Sequence, residues 1–412
     1  MQIWLVNHYA VPETESGGTR HVALAKELAR QHHHVTIFAS AFRHVIGSAS
    51  PAGSSRAGTD GALVSETKDG VTFVQIPTPP YRGNGWGRIR NMLTFASRFS
   101  TEGRSGRFAR PDVVVGSSPH PFAALAARRI ARRFGVPFVL EVRDLWPDSL
   151  VKVGGASRRH PLVLILSLVE RSLYRSARAV VSLLPNAADH IVERGGRRDR
   201  VVWLPNGVDF DLAGPLTSAD RADLRPFTVM YAGSMGKANA LDSILDAAAL
   251  LAGRERRIEF RLLGEGPERK RLEERAASEG LEHVHFEAPV PKQRVFDVLR
   301  EADVLIATTR NIDLYEHGLS LNKLFDYLAV GRPVVFGASC PSNPVLEANA
   351  GVVVPPEDAG AMAKAISALA DLTPDERAVL GARGRAYAES HHDMRRLGRK
   401  LEQVLVQSTL ST

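Results

Sequence analysis

Short runs of β-branched and other apolar residues alternate with helical stretches along the whole chain. A repeated strand–helix–strand series predicts a parallel sheet covered by helices on both faces. The series begins at residue 2 and starts afresh after a polar stretch near residue 215, so the sequence predicts two α/β halves of similar size. The predicted strands cover residues 2–6, 35–39, 71–76, 113–116, 138–142, 180–183 and 201–204 in the first half, and 228–231, 260–263, 284–286, 304–307, 334–336 and 352–354 in the second.

The two halves place a first domain at residues 1–210 and a second at 211–385, and a length of 412 residues suits two domains. A long final helix is expected from about residue 374 to 406. Its end, the segment 386–412, is basic and is expected to pack back on the first domain. Residues 47–61 are rich in Gly, Ser and Ala and predict a mobile loop.

Composition describes a soluble globular protein, with 44% hydrophobic and 24% charged residues. No apolar run reaches the roughly 18 residues of a spanning helix, and the nearest one, residues 161–169, is bracketed by Arg158, Arg159 and Arg171. The N-terminus reads as a strand rather than a secretory leader. Cys340 is the single cysteine, which excludes an intrachain disulfide and fits a reducing cytoplasm.

Charge is divided unevenly along the chain. Residues 1–210 hold 28 basic and 16 acidic residues, a net of +12, whereas the remainder holds 25 and 29, a net of −4. The first half is therefore expected to meet something negative, such as an anionic lipid, a phosphorylated acceptor or a nucleic acid. No nucleic-acid-binding motif is present, so nucleic acid ranks last.

The stretch Gly318–Pro333 (GLSLNKLFDYLAVGRP) carries the strongest local signal for a site. It predicts a helix that begins near Asn322 and contains Lys323 and Asp326. Such a helix offers a cation to a phosphate and a carboxylate to paired hydroxyls, and its N-terminal dipole favours an anion. An ordinary surface ion pair between Lys323 and Asp326 is the alternative. The strand that follows the helix favours a ligand site, because α/β proteins bind ligands at the carboxyl edge of their strands.

A second stretch, residues 83–110, is rich in Arg and apolar residues. On a helix, Ile89, Met92, Leu93 and Ala96 share one face, and Phe99 lies near it. Trp86 precedes this face, and the arginines that lie mostly off it are Arg88, Arg90 and Arg98. A basic amphipathic helix of this kind can rest on an anionic membrane, or it can bury its apolar face in the domain.

Six motifs occur in an order that resembles a known family. They are P-x4-GGTRH at residues 12–21, EVRDLWPD at 141–148, LPNGVD at 204–209, YAGSMGK at 231–237, LLGEGPE at 262–268 and the segment around Lys323. Together they resemble retaining, nucleotide-sugar-dependent glycosyltransferases of family 4 type, in particular the enzymes of bacterial O-antigen, capsule and exopolysaccharide assembly. The resemblance implies the GT-B fold, in which two Rossmann-like domains have parallel sheets facing an interdomain cleft.

The resemblance also implies donor-binding residues. Gly17 and Gly18 would let backbone N–H groups approach the donor diphosphate. The family usually has an Arg and a Lys near Lys237, but Ser234 stands at the Arg position, so Lys323 is expected to supply the missing cation. Asp326 is expected on the ribose hydroxyls. The full expected donor-binding set is Gly17, Gly18, Ser234, Lys237, Gly264, Asn322, Lys323 and Asp326.

The expected catalytic set is His120, Lys323, Glu316 and Asp144. His120 would lie near the sugar or the acceptor, or it packs between two prolines. Glu316 takes the place of the first of the two acids that the family has, with a loop two residues longer. Asp144, at a strand end beside Arg143, would orient the acceptor hydroxyl or tie down its loop.

No metal and no cofactor are expected, with the nucleotide sugar as co-substrate. Asp209 and Asp211 form a D-x-D pattern, but they follow the P-N-G turn at the domain junction and are interpreted as a loop. His32, His33 and His34 are consecutive and cannot converge on one ion.

The sequence thus predicts a retaining transferase that moves a hexose or amino sugar from a UDP-sugar to a glycan or lipid-linked acceptor. A UDP-sugar epimerase on the same fold and a non-catalytic nucleotide-sugar-binding protein remain alternatives. An NAD-dependent oxidoreductase is disfavoured, because the first strand is not followed by G-x-G-x-x-G. The protein is expected in the cytoplasm, with a peripheral place at the inner face of the membrane left open.

Overall fold

The computed structural model describes residues 1–12, 20–42, 63–66, 70–81, 83, 85–119, 121–152, 155–216, 225–253 and 257–410. The chain divides into two compact units. Unit 1 comprises Met1–Pro205 and Met394–Thr412, and unit 2 comprises Asn206–Asp393. The boundary between the halves lies five residues before the predicted one, and the terminal segment begins at Met394 rather than at residue 386.

The strands account for every predicted strand, with ends that differ by at most two residues. They are β1 Gln2–Val6, β2 His34–Ser40, β3 Leu63–Glu66, β4 Val71–Ile76, β5 Val113–Ser117, β6 Phe138–Val142, β7 Ala179–Ser182, β8 Val201–Trp203, β9 Phe227–Ala232, β10 Ile258–Leu263, β11 Val284–Glu287, β12 Val304–Thr308, β13 Val334–Gly337 and β14 Gly351–Val354.

The α-helices lie between these strands, as the pattern predicts, except for α13, α14 and α15, which follow β14. They are α1 Arg20–Arg30, α2 Trp86–Glu102, α3 Pro121–Phe134, α4 Asp148–Lys152, α5 Pro161–Ser176, α6 Ala188–Glu193, α7 Phe210–Ala213, α8 Asp242–Leu251, α9 Arg269–Ser278, α10 Lys292–Arg300, α11 Asn322–Ala329, α12 Pro344–Glu347, α13 Ala359–Asp371, α14 Pro374–His391 and α15 Met394–Leu410. Short 3₁₀ helices span Arg198–Arg200, Lys237–Asn239 and Asp313–His317.

Unit 1 is built on an eight-stranded sheet in the order β3-β4-β2-β1-β5-β6-β7-β8. All neighbouring strands are parallel except β3 and β4, which are antiparallel. Helices α2, α3 and α5 share a core with one face of the sheet, through Phe95, Ile130 and Leu173 among others. Helices α1 and α15 share a core with the other face, through Leu28 and Leu401 among others.

Unit 2 has a six-stranded sheet in the order β11-β10-β9-β12-β13-β14, and every pair is parallel. The prediction of two α/β halves with parallel sheets is therefore confirmed. Strand β3 is the exception, because this four-residue strand, LVSE, pairs antiparallel at the sheet edge and is too short to show a clear periodicity. An antiparallel edge strand is common on such sheets.

The prediction of a single long C-terminal helix is wrong, because α14 and α15 are separate helices. The break falls at His392, which is buried and whose Nδ1 lies 2.9 Å from the carbonyl oxygen of Asn206. The backbone N–H of Val208 donates to the carbonyl of His392 at 2.8 Å. These contacts hold the end of α14 within unit 2, while α15 packs on α1 in unit 1, where Gly398 approaches Glu27 closely.

The helices in the described part of the chain include none that is long and apolar enough to cross a membrane. Residues 47–61, which were predicted as a loop, lie outside the described residues.

Candidate functional site

Two loops meet backbone to backbone at the carboxyl edge of the sheet in unit 2. The loop after β9 begins at Gly233, whose N–H donates to Leu263 O at 2.9 Å, and Met235 N–H donates to Glu265 O at 2.8 Å. Gly264 begins the loop after β10 with φ +146°, and a Cβ there would lie 1.9 Å from the carbonyl oxygen of Gly233. Only glycine permits this approach, so the predicted Gly264 shapes the site by having no side chain.

The Lys323 amine lies against the first of these loops. Its Nζ donates to Tyr231 Oη at 2.6 Å and to Asn239 Oδ1 at 2.7 Å. Tyr231 Oη in turn donates to the carbonyl oxygen of Ser234 at 2.6 Å, and Asn239 Nδ2 donates to the same oxygen at 2.8 Å. The four groups form a closed ring of hydrogen bonds that fixes the amine, and we call it the Lys323 ring.

Burial lowers the pKa of Lys323 to about 7. Both hydrogen-bond acceptors of the amine are neutral, and Nζ lies 4.4 Å from the centroid of the Tyr231 ring. The amine therefore changes its charge near neutral pH, and an anion placed beside it would favour the charged form.

Asp326 does not pair with Lys323. Its carboxylate is buried and accepts a hydrogen bond from Lys292 Nζ at 2.6 Å, at the start of α10. Burial raises the pKa of Asp326, and Lys292 opposes that rise. The alternative of a surface ion pair between Lys323 and Asp326 is therefore wrong, since each residue has another partner.

The segment before α11 is held by the P-N-G motif. Asn206 is buried, its Nδ2 donates to Ser320 O at 2.7 Å, and its backbone N–H donates to Ser320 Oγ at 3.1 Å. Phe325 on α11 stacks on the His392 ring at 3.9 Å. Sequence reasoning recognised the P-N-G motif but not this role, because the partners are more than 100 residues apart.

The remaining predicted residues of unit 2 are more exposed. Asn322 is exposed at the first position of α11, and Ser234 enters the Lys323 ring through its backbone carbonyl only. Lys237 is exposed, and Asn239, two residues later, is the one that contacts Lys323. Glu316 is exposed in a 3₁₀ helix and lies 3.4 Å from His317. The structure therefore gathers Ser234 and Lys323 through Tyr231 and Asn239, two residues that sequence reasoning missed.

Unit 1 holds a buried charged cluster that sequence reasoning also missed. Glu141, at the carboxyl end of β6, contacts Arg20 Nε at 3.0 Å and His21 Nε2 at 2.7 Å, and it accepts a hydrogen bond from Ser117 Oγ at 2.7 Å. Burial alone would raise the pKa of Glu141, but His21 and Arg20 outweigh it and hold the pKa well below its usual range. Two quoted motifs, GGTRH and EVRD, supply these opposite charges, and only the fold brings them together.

Asp144 follows this cluster along the chain and is exposed. Gly17, Gly18 and His120 lie outside the described residues, so their roles stay predictions. Asp209 precedes α7 and caps it by accepting the backbone N–H of Asp211 at 3.0 Å, whereas Asp211 lies within α7, so the loop interpretation holds for Asp209 alone. The residues that the structure describes contain no group of three or more His, Cys, Asp or Glu side chains that could hold a metal ion.

Each half of the chain matches the model of a known protein family. Residues 16–207 match the glycosyl transferase 4-like domain, and residues 226–371 match the glycosyl transferases group 1 family. Together the two matches cover most of the chain, and the first one ends close to the boundary between the units.

Two curated relatives come from Escherichia coli K12. A putative colanic acid biosynthesis glycosyl transferase, WcaI, is 25% identical over 43% of this chain and 46% of its own length. A second putative colanic acid glycosyltransferase, WcaL, is 26% identical over 57% of this chain and 58% of its own length. The matched stretch thus spans about half the length of these relatives.

Solved structures show the same fold over the whole chain. A sucrose-phosphate synthase from Thermosynechococcus elongatus has a TM-score of 0.77 at 18% identity and covers 100% of both chains. Anabaena HepE in complex with UDP and glucose has a TM-score of 0.68 at 14% identity, over 98% of this chain and 99% of its own. The predicted fold class, with two Rossmann-like domains of GT-B type, is confirmed.

The Lys323 amine should make stability depend on pH. Its pKa is near 7 when folded and near 10.4 when unfolded, so between these values the unfolded chain binds more protons. The cost of burying the charged amine is therefore present below pH 7 and is relieved as the pH rises toward 10. We expect Lys323→Met to stabilise the protein at pH 6.5 and to lose this advantage by pH 10, as measured by urea unfolding.

Lys237→Met is the matched control for this titration, because Lys237 is an exposed lysine of the same loop region. It should leave the pH profile parallel to that of the unmodified protein. Parallel profiles for all three proteins would mean that the Lys323 amine is not desolvated.

The Glu141 cluster should be essential for the stability of unit 1. Glu141→Gln leaves Arg20 buried without its countercharge, and breaking a buried pair in this way costs about 3–5 kcal/mol. Thermal unfolding followed by circular dichroism should show a clear fall in Tm. Glu193→Gln, at an exposed position on α6, should leave Tm unchanged; an equal, small effect of both changes would contradict the assignment.

Proposed function

We propose that this chain, a glycosyltransferase of the group 1 family, transfers a hexose or amino sugar from a UDP-sugar to a glycan or lipid-linked acceptor. The transfer retains the anomeric configuration and serves the assembly of a bacterial polysaccharide. The names of the curated relatives, which are assigned to colanic acid biosynthesis, support this acceptor class. UDP as the leaving nucleotide is supported by the solved HepE complex, which contains UDP and glucose.

The observation that carries the proposal is the Lys323 ring. Ser234 stands where the family usually has an arginine, and the ring holds the Lys323 amine against the backbone of that same residue. The amine has a pKa near 7, so a bound diphosphate would favour its protonated form. A cation held in place before the reaction stabilises the charge that develops on the β-phosphate as the glycosidic bond breaks.

Asp326 supplies the second contact with the donor. Its buried carboxylate is paired with Lys292, which favours the ionised form that accepts hydrogen bonds. We assign it to the ribose hydroxyls, one helical turn after Lys323 on α11. A diphosphate and a ribose are close together in a nucleotide, and two residues three positions apart on a helix match that closeness.

The reaction moves electrons and protons without a cofactor. The bond between the sugar C1 and the β-phosphate oxygen breaks, and a bond forms between C1 and the acceptor oxygen on the same face. The acceptor proton passes to the leaving diphosphate. Lys323 stabilises the diphosphate, while Glu316, His120 and Asp144 remain proposals for contacts with the sugar and the acceptor.

Nucleotide binding should separate the roles of Lys323 and Asp326. Calorimetry without added metal should show UDP preferred over GDP, ADP and NAD. Lys323→Met should lower the affinity for UDP by roughly tenfold or more, since a charge-assisted hydrogen bond contributes about 1.5–3 kcal/mol. The same change should leave the affinity for uridine unchanged. Asp326→Asn should lower the affinities for UDP and for uridine by the same factor, because both ligands carry the ribose.

Lys237→Met is the control for the phosphate contact and should weaken UDP less than Lys323→Met does. Equal losses for uridine and UDP in Lys323→Met would contradict the phosphate assignment. Preferred binding of NAD would contradict the donor class itself.

Product analysis tests transfer against epimerisation. Incubation with UDP-glucose or UDP-N-acetylglucosamine and a polyprenyl-linked glycan should yield UDP and an extended acceptor whose new linkage is α by NMR. Without acceptor, the sugar nucleotide should stay unchanged. Conversion of the donor to its epimer without acceptor would support the epimerase instead, and binding without turnover in either case would support a non-catalytic protein.

A further inference from the structure

Helices α2, α3 and α5 form one side of unit 1. Helix α3 packs against both α2 and α5, and all three share the core on one face of the eight-stranded sheet. We call the outward surface of these three helices the basic layer. Every residue of the three helices is described, so the residues that this surface exposes are known.

Helix α5 buries one side and exposes apolar residues on the other. Val163, Leu166 and Leu173 are buried in the domain. Leu164, Ile165 and Leu168 are 53%, 53% and 67% exposed, and they lie on one face of the helix at i, i+1 and i+4. Single exposed apolar residues are common, but three on one helical face form a patch.

Helix α2 buries only part of the apolar face that its sequence pattern predicts. Met92 and Phe99 of the predicted membrane face are buried in the core. Trp86 is 84% exposed, Arg90 is exposed one turn later, and Leu93 is 48% exposed two turns after Trp86. These three residues lie along the outer side of the helix. Of the two alternatives for this face, burial in the domain therefore holds for Met92 and Phe99, whereas Leu93 of the same face stays exposed beside Trp86.

The exposed charged residues of these three helices are all arginines, whereas the neighbouring helix α6 exposes Asp189 and Glu193. The exposed arginines of the basic layer are Arg90 and Arg98 on α2, Arg129, Arg132 and Arg133 on α3, and Arg171 and Arg175 on α5. Helix α3 has no acidic residue, and the one on α5, Glu170, is buried beside His190 at 3.3 Å. Glu102, at the end of α2, pairs with Arg107. The layer thus exposes many cations and no carboxylate to balance them.

We propose that the basic layer docks on the surface of a lipid bilayer that contains anionic lipids. The apolar residues of α5, with Trp86, enter the boundary between headgroups and acyl chains, and the arginines meet the lipid phosphates. Apolar residues flanked by arginine on one surface are the pattern of interfacial helices. Charge complementarity selects the occupant, because a second copy of this layer would bring like charges together. The proposal needs no donor or acceptor, so it is independent of the proposed catalysis.

Cosedimentation of the full chain with vesicles tests this docking. The protein should pellet with an equal mixture of phosphatidylglycerol and phosphatidylcholine, should not pellet with phosphatidylcholine alone, and should be released by high salt. Each arginine near an anionic surface contributes roughly fivefold to partition, so Arg171→Ser with Arg175→Ser should lower it about 25-fold. Leu164→Ser with Leu168→Ser should lower it about tenfold or more.

Matched controls lie on unit 2. Leu250 on α8 is 62% exposed and Arg383 on α14 is exposed, so Leu250→Ser and Arg383→Ser make the same chemical changes elsewhere. Neither should alter partition, and all variants should keep the UDP affinity of the unmodified chain. This last comparison separates a failure of the docking proposal from a failure of the catalytic one.

A fluorescent probe locates the contact. In a Cys340→Ser background, an environment-sensitive fluorophore on Leu168→Cys should shift to the blue on anionic vesicles, and the same probe on Leu250→Cys should not. Equal partition of all variants, or a shift at position 250 alone, would overturn the proposal. Self-association of the unmodified chain that is lost in the Leu164/Leu168 variant would assign the surface to a second copy instead.

Discussion

The Lys323 amine is the constraint around which the site in unit 2 is built. A lysine amine removed from water tends to lose its proton or needs polar partners, and here Tyr231 and Asn239 supply them. Both partners also bond the carbonyl of Ser234, so the same ring that holds the amine fixes the loop after β9. Gly264 then lets the neighbouring loop close against it. The result is a cation position that is set before any ligand arrives, which is the condition for electrostatic stabilisation of a transition state.

Glu141 in unit 1 and Lys323 in unit 2 are buried ionisable groups in opposite environments. In unit 1, Glu141 is surrounded by Arg20, His21 and Ser117, so its charge is compensated and its pKa stays low. In unit 2, Lys323 has only neutral partners, so its pKa falls toward neutrality. A compensated charge cluster stabilises a fold when all of its members are present. An uncompensated amine has its charged form stabilised most when an anion binds beside it. This contrast is why we assign the phosphate to Lys323 and a structural role to Glu141.

The two faces of the sheet in unit 1 also differ in what their helices expose. Helices α1 and α15 approach closely at Gly398, where a side chain would collide with Glu27. Helices α2, α3 and α5 cover the other face with a buried apolar side and an outer side rich in arginine. The excess positive charge of the first half is therefore not spread evenly over its surface. The exposed Leu164 and Leu168 lie among these arginines. This face is therefore suited to a bilayer, whose anionic headgroups cover apolar acyl chains.

The sequence by itself determined the two parallel sheets, all but one of their strands, and the place of Lys323 and Asp326 on a helix at the sheet edge, because these depend on local periodicity and on motif order. The tertiary structure decided which residues meet. Tyr231, Asn239 and Lys292 became partners of the site, Asn206 became the clamp before α11, and the long final helix broke at His392. It also turned Met92 inward and left Leu168 outside. Periodicity shows that a helix has an apolar face, but only packing against neighbours decides which apolar residues are buried, since the competing contacts come from chain segments far away in sequence.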